Sequence, residues 1–145
     1  MRSQTGGMTE LEAVVVGALL AGDREELAIL RQQVQHAVVR NRKHTGVGFW
    51  TYFVVQPSAP RLANSGRLRL SDVGAVVQDV QHGAGFILWV EHGSIDCLEG
   101  FTYADDWPKE PKLSRWYYLR HASPGNPMLV ETDVRKLEDV FSRKG

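Results

Sequence analysis

The chain has one cysteine, Cys97, among its 145 residues. A lone thiol closes no internal disulfide and cannot build a structural zinc site by itself. A surplus of either charge is lacking as well, because 17 Lys and Arg balance 17 Asp and Glu. Non-specific binding to nucleic acid needs a basic surplus, so nucleic acid is not an expected partner. Long hydrophobic runs are missing too. The single extended one, Ala13–Ala21, covers nine residues, where a helix crossing a bilayer needs about 20. No membrane contact is therefore expected. With Arg2 as its positive end, the run has the look of a signal-peptide centre. Glu10 and Glu12 stand directly before it, however, and Thr9-Glu-Leu-Glu12 reads as a helix capping box. The expected location is accordingly the cytoplasm.

Several catalytic and cofactor motifs are also absent. The sequence holds no P-loop, no Gly-x-Ser-x-Gly elbow and no His-Glu-x-x-His helix. Gly46-Val-Gly48 leads into a strand rather than a helix N-terminus, so it is a turn and not a dinucleotide fingerprint. None of the five histidines pairs with another at metal-ligand spacing. No metal and no cofactor are expected. Cys97 reads as a small buried apolar residue, since its acidic neighbours oppose a reactive thiolate.

What is present is an ordinary globular composition, 43% apolar and 23% charged. Residues 9–145 are expected to form one domain, after an unstructured opening over 1–8 in which Met8 is a second candidate start. The first helix is predicted from Thr9 to Ala21, ending at Gly22. Asp23-Arg-Glu-Glu26 repeats the capping pattern and opens a second helix, whose inward stripe is Leu27, Leu30, Val34, Ala37 and Val38. Arg24 and Arg31 fall on its wet side. The basic stretch Arg40–His44 is read as the end of that helix, where cations offset the dipole.

Beyond His44 the period changes to two. Phe49–Val55 reads as a strand with two bulky, covered faces, and Arg67–Val80 as one bent strand or two short ones. Phe86–Val90 and Ile95–Tyr103 form a hairpin around Glu91-His-Gly-Ser94. Trp116–Arg120 is a further strand. Thr132 is placed as the cap of a last helix running to about Ser142, buried through Leu137, Val140 and Phe141. The fold class is α+β: two N-terminal helices, a mainly antiparallel sheet of about four to six strands, and a C-terminal helix. An open edge strand would let two copies pair as a homodimer.

Charge placement singles out one region. Residues 1–72 carry nine basic and six acidic side chains, residues 73–145 eight and eleven. Within 91–110, Glu91, Asp96, Glu99, Asp105, Asp106 and Glu110 stand against Lys109 alone, with Phe101, Tyr103 and Trp107 interleaved. Aromatics that anchor and carboxylates that steer make a protein-binding face, here one suited to a basic partner protein. Its expected members are Glu91, Glu99, Phe101, Tyr103, Asp105, Asp106 and Trp107. The bland alternative is a solvated hairpin rim whose aromatics close the core.

Thr45–Phe49, His82–Phe86, Leu98-Glu-Gly-Phe-Thr-Tyr103 and Asp106-Trp-Pro108 give residues 10–120 a pattern that resembles a group of small uncharacterised bacterial proteins of unknown function. The resemblance implies a bacterial cytosolic origin and brings no catalytic residue.

The leading expectation is therefore a binding module, of which an immunity-type inhibitor of a basic toxin is one instance. A second is a small hydrolase acting on a sugar or other polar substrate, with Glu99 and Asp106 as acid and base. A third is a pocket protein that holds a small apolar or aromatic ligand against Trp50, Trp89 and Trp116. His82 and His121, at opposite strand ends, form a site only if the fold brings them together.

Overall fold

A computed structural model describes residues 7–63 and 66–141. Thr9 and Glu12 form the capping box that their spacing spells: the Glu12 N–H donates to Thr9 Oγ1 at 3.1 Å and the Thr9 N–H to Glu12 Oε1 at 2.9 Å. Helix α1 then covers Glu10–Leu19, ending two residues earlier than expected. No basic residue occupies its last turn, and its closing carbonyls are satisfied from other elements. The Tyr118 hydroxyl donates to Ala18 O at 2.7 Å, and Arg31 Nη1 to Leu20 O at 2.6 Å.

Helix α2, Glu25–Val34, starts without a side-chain cap. The expected Asp23–Glu26 box does not form, because Glu26 is drawn to Arg24 at 3.1 Å instead. The helix also stops earlier than its apolar stripe predicts. Ala37 and Val38 belong to β1, Ala37–His44, together with the whole basic stretch. Arg40–His44 is thus edge-strand sequence, not a helix C-terminus.

The remaining elements are β2 Gly48–Val55, β3 Leu68–Val77, β4 Ala84–Glu91, β5 Ser94–Thr102, β6 Leu113–His121, β7 Leu129–Thr132 and α3 Leu137–Phe141. All pairings are antiparallel, in the order β1-β2-β5-β4-β3-β6-β7. The α+β class with a mainly antiparallel sheet is what the sequence predicts. The seven strands exceed its range because the sequence reads β1 as helix and assigns no strand to Leu129–Thr132, which forms β7. Thr132 lies in β7 and caps no helix. The β4–β5 turn puts His92 at φ +54° and Gly93 at φ +78°, the two left-handed residues of a type I′ hairpin. A Cβ at Gly93 would also lie 2.6 Å from Leu62 O.

The helices pack on one face of the sheet. Leu11, Val15, Val16 and Leu19 from α1 and Leu27 and Leu30 from α2 join Phe49, Phe53, Leu70, Phe86, Leu88 and Leu98 in one core. Met8 is buried there too, although residues 1–8 read as unstructured. The part of that expectation covering 1–6 lies outside the described residues, as do Asn64 and Ser65, between the predicted strands Phe49–Val55 and Arg67–Val80, and Ser142 at the predicted end of the last helix. Among the described residues, no helix is long and apolar enough to cross a membrane.

One polar network ties α1 to the sheet. Arg42 donates to Glu12 through Nε and Nη2, at 2.8 and 2.7 Å, and the Thr51 hydroxyl donates to Glu12 Oε2 at 2.6 Å. Burial alone would raise the Glu12 carboxyl. The bonds from Arg42, Thr51 and the Thr9 N–H outweigh it and bring the group below the ordinary glutamate range. A carboxyl lowered in the folded state adds stability above its unfolded value, about 4.3, and loses that contribution as pH falls through the folded value. Glu12→Gln is therefore expected to cost about 1–3 kcal/mol at neutral pH. The gap to wild type should narrow as the solution is acidified below about pH 4. Urea melts across the acid range check this, and a gap independent of pH would refute it.

Candidate functional site

Side chains alternate across a strand, so β2 presents Phe49, Thr51, Phe53 and Val55 to the helices and Trp50, Tyr52 and Val54 to the other side. The expectation that both faces of this strand are covered does not hold. All three helices lie on one side, and Val54 is 46% exposed on the other. Register carries this second face across the sheet. Trp50 pairs with Glu99 and Glu99 with Ile87, while Tyr52 pairs with Cys97 and Cys97 with Trp89. Further along, Gly85 lies opposite Phe101 and Gly74, and Gly74 opposite Tyr117. A continuous surface of Trp50, Tyr52, Trp89, Phe101, Tyr103 and Tyr117 results.

These rings are ordered by one another and by arginines. Trp50 and Tyr52 stack with centroids 6.4 Å apart, and Phe101 meets Tyr103 edge-on at 5.5 Å. Phe101 and Tyr103 lie over Gly85, where a Cβ would come within 2.7 Å of the Phe101 ring. Arg67 sits 4.2 Å from the Trp89 centroid, Arg40 5.4 Å from Tyr52, and Arg115 5.0 Å from Tyr117. Such cation–π contacts hold a guanidinium flat on an exposed ring. Tyr103 is nevertheless 60% exposed.

At the middle of this face the local field is negative. The Glu99 carboxylate accepts from Trp89 Nε1 at 3.2 Å. Burial pushes the Cys97 thiol up to about 12, and the charges of Asp96, Glu99 and Glu91 push in the same direction. The thiol is buried and un-ionised at neutral pH, so it is no nucleophile. Glu91 is itself paired with Arg67 at 2.8 Å.

The residues expected to form one binding face are divided by the fold. Glu99, Phe101 and Tyr103 lie on the open face and Glu91 at its hairpin end. Asp105, Asp106 and Trp107 follow β5 in a loop beyond the strand. Trp107 turns back toward the core, its ring 5.2 Å from Phe49 and 6.5 Å from Phe86. Asp105 accepts from the His82 backbone N–H at 3.0 Å and lies 3.3 Å from the His82 ring. The His82 backbone N–H, with help from the ring, holds the Asp105 carboxyl below its ordinary value against the opposing effect of desolvation. Asp106 is exposed.

Glu99 is thus bonded to an indole on the sheet face while Asp106 sits in the following loop, and no cleft among those described contains both. His121 bonds to Asn126 O at 2.8 Å, at another site from His82. Trp116 lies edge-on to Tyr118 at 5.0 Å and does not converge with Trp50 and Trp89. Trp50, Tyr52, Trp89 and Tyr117 were not assigned to the face by sequence reading, and the period-two patterns of β2, β4 and β6 were the available signal. Among the described residues, no group of three His, Cys, Asp or Glu side chains is placed to hold a metal ion.

Comparison with protein-family models, with curated proteins and with solved structures finds no match for this chain. The site's own geometry carries the functional reading.

Proposed function

We propose that the chain is a protein-binding module whose contact surface is the open face of the sheet, centred on the β4–β5 hairpin. The observation that carries this reading is a set of rings on the face no helix covers, Tyr103 exposed and Trp50, Tyr52, Trp89, Phe101 and Tyr117 half-buried, around Asp96 and Glu99. Large rings already held by neighbours lose little freedom on binding, which is why aromatic anchors dominate protein interfaces. The acidic middle of the face suits a basic element of the partner, set within a rim where Arg40 and Arg69 also make no ion pair among the described residues. Glu91 and Glu131 are matched by Arg67 and Arg115, whereas Asp96 and Glu99 have no ion-pair partner among the described residues and face the contact region. Charged groups of this kind steer encounter and fix register more than they add affinity. An immunity-type inhibitor of a basic toxin is one instance of such a module.

The test is affinity capture from a lysate of the source cells, with wild type beside a Trp50→Ala/Tyr103→Ala/Glu99→Gln variant of verified fold. The expected result is a basic protein held by wild type and bound at least tenfold more weakly by the variant, with affinity falling as salt rises. Equal retention by both proteins, or an empty capture from both, would overturn the reading.

A further inference from the structure

On the helix side of the sheet, opposite the aromatic face, a cleft of about 470 Å³ opens between the start of α1, the β1–β2 turn and the loop after β5. That volume falls within the range of small-molecule sites, roughly 300–1,000 Å³. Its walls are apolar and partly aromatic: Leu11, Phe49, Trp107, Pro108 and Pro111. Trp107, part-exposed and backed by the buried Phe49 ring, gives the cleft a rigid ring surface. The Trp107 N–H is fixed to Gly46 O at 2.8 Å, so the loop carrying this wall is tied to the β1–β2 turn.

The polar lining has one sign on offer. Glu12 is the only acid among the lining residues, and it is 3% exposed. Both its oxygens are occupied: Oε1 by the Thr9 N–H and Arg42 Nη2, Oε2 by Arg42 Nε and Thr51. It has no free lone pair aimed at a ligand in the way an unpaired carboxylate would. Arg42 uses Nε and Nη2 on Glu12 and Gly7 O, while its Nη1 makes no hydrogen bond within the described residues. His44 and Lys109 line the same cleft and make no ion pair among the described residues.

We infer that this cleft binds a small aromatic carboxylic acid, its ring against Trp107 and Phe49 and its carboxylate at Lys109, His44 and the free edge of Arg42. Glu12 acts as the positioning residue that holds Arg42 in place. A ring wall with polar donors lining the same cleft supplies what such a ligand needs: burial for the ring and charge-assisted bonds for the carboxylate. The site shares no residue with the open sheet face and stands or falls independently of it.

The test titrates the ¹⁵N-labelled full chain with 2-naphthoate and, separately, with its neutral carboxamide. The expected result is saturable one-site binding of the acid, with shifts concentrated at Gly46, Gly48 and the Trp107 indole, and at least tenfold weaker binding of the amide. Lys109 is exposed, so Lys109→Met is a variant that leaves the fold intact. It should weaken the acid at least fivefold and leave the amide unchanged. Tyr103→Ala, on the other face, should change neither. Absence of saturable binding, equal binding of acid and amide, or shifts centred elsewhere would each overturn the inference.

Discussion

Replacing Arg135 by leucine is expected to remove about 3–5 kcal/mol of stability, the range found when one partner of a buried ion pair is taken away. The Arg135 and Asp72 side chains are only 7% and 10% exposed. Two parallel bonds of 2.8 Å join the guanidinium to the carboxylate. Arg135 Nη1 also donates to Ala21 O at 2.6 Å, just beyond the end of α1, and the guanidinium lies 5.1 Å from the Tyr118 ring centroid. One side chain thus links the α1 terminus, the irregular pairing in β3 and the approach to α3. Leucine leaves a buried carboxylate without its counter-charge and the half-buried Ala21 carbonyl without this donor. The second half of the test is the Asp72→Asn/Arg135→Leu double variant. With the stranded charge gone, it should be more stable than the single Arg135→Leu variant by at least about 1 kcal/mol. Urea denaturation at neutral pH measures both. A single variant within 1 kcal/mol of wild type would mean the pair is solvated and carries no structural weight.

The β4–β5 hairpin was legible because two independent signals coincide. Alternation runs through Phe86–Val90 and Ile95–Tyr103, and His92-Gly93 between them suits a type I′ turn. Helix α1 was legible from Thr9 and Glu12, whose capping box forms as spelled, whereas the same spacing at Asp23 and Glu26 forms none because Arg24 takes the Glu26 carboxylate. Strand β1 was not. Val34, Ala37 and Val38 continue the helical spacing of Leu27 and Leu30, and Arg40–His44 then looks like a helix end. Only pairing with β2 shows that the chain has turned at Gln35–His36, and pairing is a long-range fact. Strand β7 has four residues and no buried face, so it leaves almost no pattern.

The candidate face follows the same logic. Glu99, Phe101 and Tyr103 share a side because they are two apart, which sequence does show. Trp50, Trp89 and Tyr117 join them through strand order, which it does not. Trp107 sits past the end of β5, where the period of two no longer applies. Its ring is placed by Phe49 and Phe86 instead. Glu12 illustrates a different limit: its capping role was readable, while its bonds to Arg42 and Thr51 span 30 and 39 residues.

Gln33 is a buried polar residue that no periodicity marks, and its replacement is expected to be nearly as costly as that of Arg135. The residue is 0% exposed. Its amide nitrogen donates to Pro60 O and Gly93 O, both at 2.8 Å, and its oxygen accepts from the Ile95 N–H at 3.0 Å. Leucine of similar volume would fill the space and leave the Ile95 N–H with no acceptor. Gly93 O would keep only its bond from the Leu62 N–H. The expected loss is about 2–4 kcal/mol for Gln33→Leu, from the unpaired groups alone. Gln33→Ala should lose roughly 3–5 kcal/mol, because a cavity is added to the same defect. Thermal melts give the totals, and amide hydrogen exchange locates the cause: Ile95 should be protected in wild type and exchange far faster in either variant. Loss of stability without faster exchange at Ile95 would place the defect elsewhere. The same amide fixes the turn of the hairpin whose strands carry Trp89, Glu99 and Phe101. A leucine at position 33 is therefore expected to weaken partner binding at the open face from the opposite side of the sheet, by loosening the element that presents it.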